Sequence, residues 1–174
     1  MKKRAFAAIG VCIIGLGLLA GMGVAAERPI ALVPQPLRVE RKEGAFTLNK
    51  DTRILVKLGS ADAANIGKQL AERLKRSTGY GLAVSPADLA SVGGNAIVLI
   101  TDSANPALGA EGYQLVVDAN GALITATQGA GLLYGTQTLL QLLPPQVFSK
   151  SRVEEEVAWT VPAVRIEDAP RFPW

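Results

Sequence analysis

The sequence predicts an α+β fold, a mainly antiparallel sheet with two helices packed on one face. Three observations predict it. Asn120-Gly121 stands between two β-prone runs, Tyr113–Val117 and Leu123–Ala126, and Asn-Gly flanked by such runs is the strongest short-range hairpin signal. Helical apolar spacing follows Ser60 and again Gly129. The resulting order of strand, helix, strand, hairpin and helix departs from the strict βα alternation of a parallel sheet.

The chain opens on a secretory leader. Met1-Lys2-Lys3-Arg4 is a positive start, Ala5 to Val24 is apolar with five glycines, and Val24-Ala25-Ala26 presents small residues before Glu27. That pattern places signal-peptidase cleavage between Ala26 and Glu27 and predicts a secreted or periplasmic protein of bacterial type. An uncleaved anchor is the other reading, since about 20 apolar residues can span a bilayer. Cleavage is favoured by the small-x-small ending and by the Gly/Ala content. The single Cys, Cys12, lies inside the leader, so the mature chain has no thiol to pair.

Residues 27–45 read as an extended lead-in, because Pro29, Pro34 and Pro36 exclude a helix. The mixed charges from Arg38 to Glu43 read as a solvated edge. The α+β domain then runs over residues 46–160. In it, Ile54, Val56 and Leu58 alternate with Arg53 and Lys57, a half-buried strand. Ser60 is the expected N-cap of a helix carrying Ala63, Ile66, Leu70 and Leu74 on one face. Lys75 and Arg76 suit its last turn, and Gly79 its left-handed stop. Ile97-Val98-Leu99-Ile100 is apolar throughout, as a central strand covered on both sides would be. After the hairpin, Gly129 to Leu143 forms a second helix with a broad apolar face, ended by Pro144-Pro145. Residues 161–174 read as an exit segment. Val116 on one side of its strand, with the four-residue apolar run, predicts that the sheet face away from the helices is apolar too and wants a cover.

Composition excludes much chemistry. The 174 residues contain no His, which removes Ser-His-Asp triads, Cys-His dyads and imidazole metal sites. Three of the 18 basic residues, Lys2, Lys3 and Arg4, lie in a leader without Asp or Glu, so the remaining chain balances 15 against 15. The basicity therefore belongs to the leader, which argues against nucleic acid as partner and leaves membrane contact to the leader alone. Lys68, Arg73, Lys75 and Arg76 read as a solvated helix face, with no aromatic residues interleaved. Gly129-Ala130-Gly131-Leu132-Leu133-Tyr134-Gly135 opens a helix after a strand, yet its spacing is G-x-G-x-x-x-G and the strand belongs to a hairpin; close helix–sheet packing explains the glycines better than a phosphate cradle. Glu167 and Asp168 are the one conspicuous carboxylate pair. As neighbours in an extended segment they point to opposite sides, so they cannot readily flank one glycosidic bond. No cofactor, no metal and no catalytic residue is assigned.

Several ordered segments together carry a resemblance. Glu111-Gly112-Tyr113-Gln114-Leu115-x-Val117, Ile124-x-Ala126 and Gly131-Leu132-x-Tyr134-Gly135-x-Gln137-Thr138-Leu139-x-Gln141-Leu142 resemble the N-terminal domain of bacterial β-N-acetylhexosaminidases, chitobiase-like enzymes of glycoside hydrolase family 20. Leu32-Val33-Pro34-Gln35-Pro36 looks like the family's opening, and Pro162-x-x-x-Ile166-x-Asp168-x-Pro170-Arg171-Phe172-x-Trp174 like its passage into a catalytic (β/α)8 barrel. The resemblance spans about residues 30–174. It implies the same α+β fold, with the barrel of the same polypeptide as partner and N-acetyl-hexosaminide glycans as the parent's substrates. It implies further that Arg171, Phe172 and Trp174 form a barrel-facing tail, and that the chain stops one residue before the family's Arg-Gly at the first barrel strand. The family's Asp-Glu pair lies in that barrel, where the Glu is general acid/base and the substrate's 2-acetamido oxygen is the nucleophile, oriented by the Asp. None of these residues maps onto a position here. Two functions are thus expected: the non-catalytic N-terminal domain of an exported hexosaminidase, or a free-standing module that binds a glycan or a protein.

Overall fold

The computed structural model describes residues 30–87, 93–101 and 105–171. The predicted cleavage point at Ala26 and Glu27, and the tail residues Phe172 and Trp174, lie outside them.

Seven strands and two long helices build an α+β fold. The strands are β1 (Arg38–Thr47), β2 (Arg53–Lys57), β3 (Val84–Ala87), β4 (Ala96–Thr101), β5 (Tyr113–Asp118), β6 (Gly121–Ala126) and β7 (Thr160–Asp168). Helix α1 (Ala61–Thr78) lies between β2 and β3, and α2 (Gly129–Leu142) follows β6. The sheet order is β1-β7-β5-β6-β4-β2-β3. Strands β1, β7, β5 and β6 pair antiparallel, whereas β6, β4, β2 and β3 are joined in parallel. Residues set apart as lead-in and exit supply two of the strands: β1 begins at Arg38, and β7 lies between β1 and β5. The charged run from Arg38 to Glu43 is the exposed edge strand, where charge discourages pairing with another chain. Pro162 sits in β7 opposite Ala45, beside the irregularity between Arg41 and Ala45, where a missing N–H is tolerated.

Helix α1 begins where Ser60 Oγ accepts the Ala63 N–H at 3.2 Å and ends where Gly79, at φ 77°, donates its N–H to the Lys75 carbonyl. Thr101 at the end of β4 also donates to Ser60 Oγ at 3.0 Å, so the cap is tied to the sheet. Ser60→Ala is expected to lower the stability by about 1 kcal/mol in chemical denaturation, the ordinary worth of an N-cap.

Both helices cover one face. Ile54, Val56, Ile97, Leu99, Leu115, Ile124 and Ile166 point from the sheet toward Leu70 and Leu74 of α1 and Leu132 and Leu139 of α2, all buried in one cluster. On the opposite face Leu55, Ala96, Val98 and Ile100 form a second small buried cluster, beside half-buried Val116 and Leu123, which is 36% exposed. Farther across, that face carries Gln114, Arg165, Glu167, Arg38 and Glu40. The apolar face expected from the sequence is thus apolar only over β4 and β2, with Val116 and Leu123 at its border. The reason is the sheet order: β7 and β1 come to lie beside β5 and bring alternating charges with them.

Candidate functional site

The carboxylate pair separates as strand geometry requires. Glu167 pairs in register with Gln114 and Arg38 on the open face, while Asp168 pairs with Tyr113 on the helix face. Glu167 accepts from Gln114 Nε2 at 2.9 Å and from the Arg165 guanidinium at 3.1 Å, with Arg38 at 3.7 Å, and its side chain is 16% exposed. Asp168 accepts the Leu37 N–H at 3.2 Å. Each carboxylate holds its own side of β7, and the two share no cleft. Among the described residues no group of three or more His, Cys, Asp or Glu converges as a metal site would require.

The glycine run opening α2 is a packing device. A Cβ on Gly131 would lie 2.2 Å from the Gly112 carbonyl oxygen, and one on Gly135 would lie 2.4 Å from Ile124 Cγ2. Such distances let the helix approach the sheet only where no side chain intervenes. A cleft of about 880 Å³ does open at the C-terminal ends of β2 and β4, where α1 and α2 begin and where open parallel sheets bind ligands. Its α2 end is already taken by an anion of the chain itself, since a Cβ on Gly129 would lie 2.8 Å from Asp62 Oδ2. A phosphate there would meet that carboxylate. Lys68, Lys75 and Arg76 of α1 are exposed as expected, whereas Arg73 is half-buried and stacks over the Phe148 ring at 5.4 Å, a partner distant in sequence.

A second groove, of about 430 Å³, lies where the chain leaves β7. Val33 and Pro34 form one wall, Tyr134 and Gln141 of α2 another, and Pro170 and Arg171 a third. Arg171, placed in the tail by sequence reading, donates to the Gln35 carbonyl at 2.9 Å. Sequence reasoning did not find this groove; its only signal was the shared recurrence of Tyr134, Gln137 and Gln141 one helical turn apart on α2.

Tyr113 forms the groove floor, its hydroxyl 2.5 Å from Thr138 Oγ1. Burial pushes the phenol up from 10.0 to about 12, opposed by the Thr138 hydrogen bond and assisted by the Asp168 charge. The fold therefore favours the neutral phenol, and the unfolded chain ionises first. This contribution to stability is whole below about pH 10 and is lost as the pH rises through about 12. Phenolate absorbance in an alkaline titration should show one tyrosine rising near pH 12, and Tyr113→Phe should remove that step.

Fold and groove together define a helix-backed sheet domain in which Glu167 and Asp168 lie on opposite faces and residues 33–35 meet the end of β7 at one groove. Residues 29–169 match the family described as "Glycosyl hydrolase family 20, domain 2". The chain is 33% identical over 177 residues to a beta-hexosaminidase of Porphyromonas gingivalis, a match covering 99% of this chain and 22% of that protein. Among solved structures it is similar to the GH20 beta-N-acetylhexosaminidase of Streptomyces coelicolor A3(2), with a TM-score of 0.70 and 37% identity over 80% of this chain and 26% of that one. The GH20 exo beta-N-acetylglucosaminidase of Vibrio harveyi gives a TM-score of 0.60 at 25% identity, covering 80% of this chain and 19% of that one. The chain belongs to glycosyl hydrolase family 20, and it spans about a fifth to a quarter of the length of these relatives.

Proposed function

We propose that the chain is the non-catalytic N-terminal domain of an exported β-N-acetylhexosaminidase. Its partner is the catalytic (β/α)8 barrel of the same polypeptide, and the parent enzyme releases terminal N-acetyl-hexosamine residues from glycans. The observation that carries this reading is the match of residues 29–169 to domain 2 of the family in a chain covering only 22% of the P. gingivalis relative. The Glu167 and Asp168 geometry supports it. Positioned acid/base groups contribute large rate factors, and these two carboxylates are held on opposite faces by structural partners. The groove at Arg171 supports the barrel as partner, because exposed Val33 and Tyr134 line it together with the residues that follow β7. Arg171, Phe172 and Trp174 are then the residues that carry the chain toward the barrel. Export rests on the leader pattern that ends at Ala26.

Two measurements test the reading. The purified 174-residue chain should show no turnover of a chromogenic N-acetyl-glucosaminide above blank, and Glu167→Gln and Asp168→Asn should stay at blank. Turnover that survives purification and disappears in either variant would overturn the non-catalytic role. In the source cells, an antibody against the folded domain should detect an exported polypeptide about four to five times this length, as the coverage of the relatives implies. A product of 174 residues alone would overturn the reading in favour of a free-standing module.

A further inference from the structure

We propose that residues 30–37 are a strap that couples the start of the domain to its exit at Asp168–Arg171, so that loosening either one loosens the other. This segment belongs to no strand. Leu32 and Pro36 are buried and Ile30 is half-buried against the core, yet Val33 and Leu37 are 80% and 52% exposed, so side-chain burial leaves much of the segment free of the core. Its backbone is tied by side chains from elsewhere. Gln141 of α2 bonds Val33 twice: its Oε1 accepts the Val33 N–H at 3.0 Å and its Nε2 donates to the Val33 carbonyl at 3.1 Å. Arg171 donates to the Gln35 carbonyl at 2.9 Å, and Asp168 accepts the Leu37 N–H at 3.2 Å.

These three ties fall on residues 33, 35 and 37, so they are spread along a segment that bends at Val33, Pro34 and Leu37. A side-chain amide bonding both the N–H and the C=O of one residue imitates a neighbouring strand. Two of the three ties come from residues at the end of β7, not from the body of the domain. The strap is therefore held in part by the exit, and the exit by the strap. Coupling of this kind is reciprocal: whatever loosens one end loosens the other by the same factor. A locally held segment would behave otherwise, because Arg171 touches neither the Val33 nor the Leu37 amide directly.

That difference supplies the test. Amide hydrogen exchange, followed residue by residue by NMR on the full chain, should show Val33 and Leu37 exchanging roughly fivefold faster in Arg171→Ala, the factor expected from losing one ordinary hydrogen bond. Gln141→Ala should in turn speed exchange of the Arg171 guanidinium protons, which the bond to the Gln35 carbonyl protects. Arg171→Lys, which keeps a donor, should restore much of the protection. Core amides such as Leu115 and Ile124 should be unchanged, which separates loosening of the strap from loss of the fold. Unchanged Val33 and Leu37 exchange in Arg171→Ala would overturn the coupling, as would Gln141→Ala freeing the strap while the Arg171 guanidinium protons exchange as before. Should Gln141→Ala not fold, Gln141→Glu, which keeps the acceptor for the Val33 N–H and sets a carboxylate oxygen against the Val33 carbonyl, makes the same comparison. None of these readouts depends on the hexosaminidase assignment.

Discussion

Gly131→Ala is expected to destabilise the domain by about 3 kcal/mol, and Gly135→Ala by about 2 kcal/mol, the upper range for forcing an extra methyl into a packed interior. At Gly131 the obstacle is backbone. The new Cβ would stand 2.2 Å from the Gly112 carbonyl oxygen, and Gly112 itself has no room to retreat, because a Cβ placed on it would lie 2.3 Å from the Leu108 carbonyl oxygen. At Gly135 the obstacle is the Ile124 side chain at 2.4 Å, with the Tyr113 ring at 3.2 Å. Ile124 is fully buried and cannot swing into solvent, yet a side chain yields more readily than a carbonyl, hence the smaller cost. Midpoints of urea denaturation measure both. A cost below about 0.5 kcal/mol at Gly131 would mean that α2 can lift from the sheet, and would reopen a role for the glycine run other than packing. A phosphate cradle predicts the contrary pattern, with little change in stability and loss of anion binding.

What the sequence disclosed and what it concealed divide along one line. Features fixed by neighbouring residues were legible: the Ser60 cap and Gly79 stop of α1, the apolar run of β4, the β5–β6 hairpin (its turn is Ala119-Asn120, with Gly121 first in β6), and the opposite orientation of Glu167 and Asp168. Features fixed by a distant partner were not. In β1, Val39 is the only apolar residue between Arg38 and Glu43, so the stretch reads as an extended, solvated edge, and only β7's hydrogen bonds make it a strand of the sheet. In β7, Pro162 interrupts the pattern, and its tolerance depends on an irregularity in the strand opposite. The β3 strand is four residues with Pro86 among them, below what periodicity can register. The parallel joining of β2, β3, β4 and β6 likewise leaves no local mark. The groove at Arg171 was concealed for the same reason: Val33, Tyr134 and Arg171 are far apart in the chain and meet only when α2, the strap and the end of β7 are assembled.

Gly121→Ala is expected to cost about 3 kcal/mol, for a reason the hairpin motif alone does not contain. Asn-Gly was read as a turn signal, and Gly121 does adopt a positive φ of 157°. The larger constraint comes from β4. A Cβ on Gly121 would lie 2.0 Å from the Ala96 carbonyl oxygen, with the Ala96 nitrogen at 3.1 Å, because Ala96 and Gly121 are direct partners in the parallel β4–β6 ladder. The Asn120 carbonyl reinforces the junction by accepting the Asn95 N–H at 2.6 Å, and Asn95 at φ 59° turns the chain into β4. The glycine is thus the point where the antiparallel half of the sheet is joined to the parallel half. Asp118→Ala, which removes only the acceptor for the Asn120 N–H at the exposed side of the same turn, should cost about 0.5 kcal/mol. Comparing the two by denaturation separates the turn from the junction. Equal costs would show that the turn alone sets the requirement for glycine. A large loss at Gly121 with a small one at Asp118 places the requirement in the β4 contact, and exchange protection should then fall first at the β4 amides while the β5–β6 hairpin keeps its own.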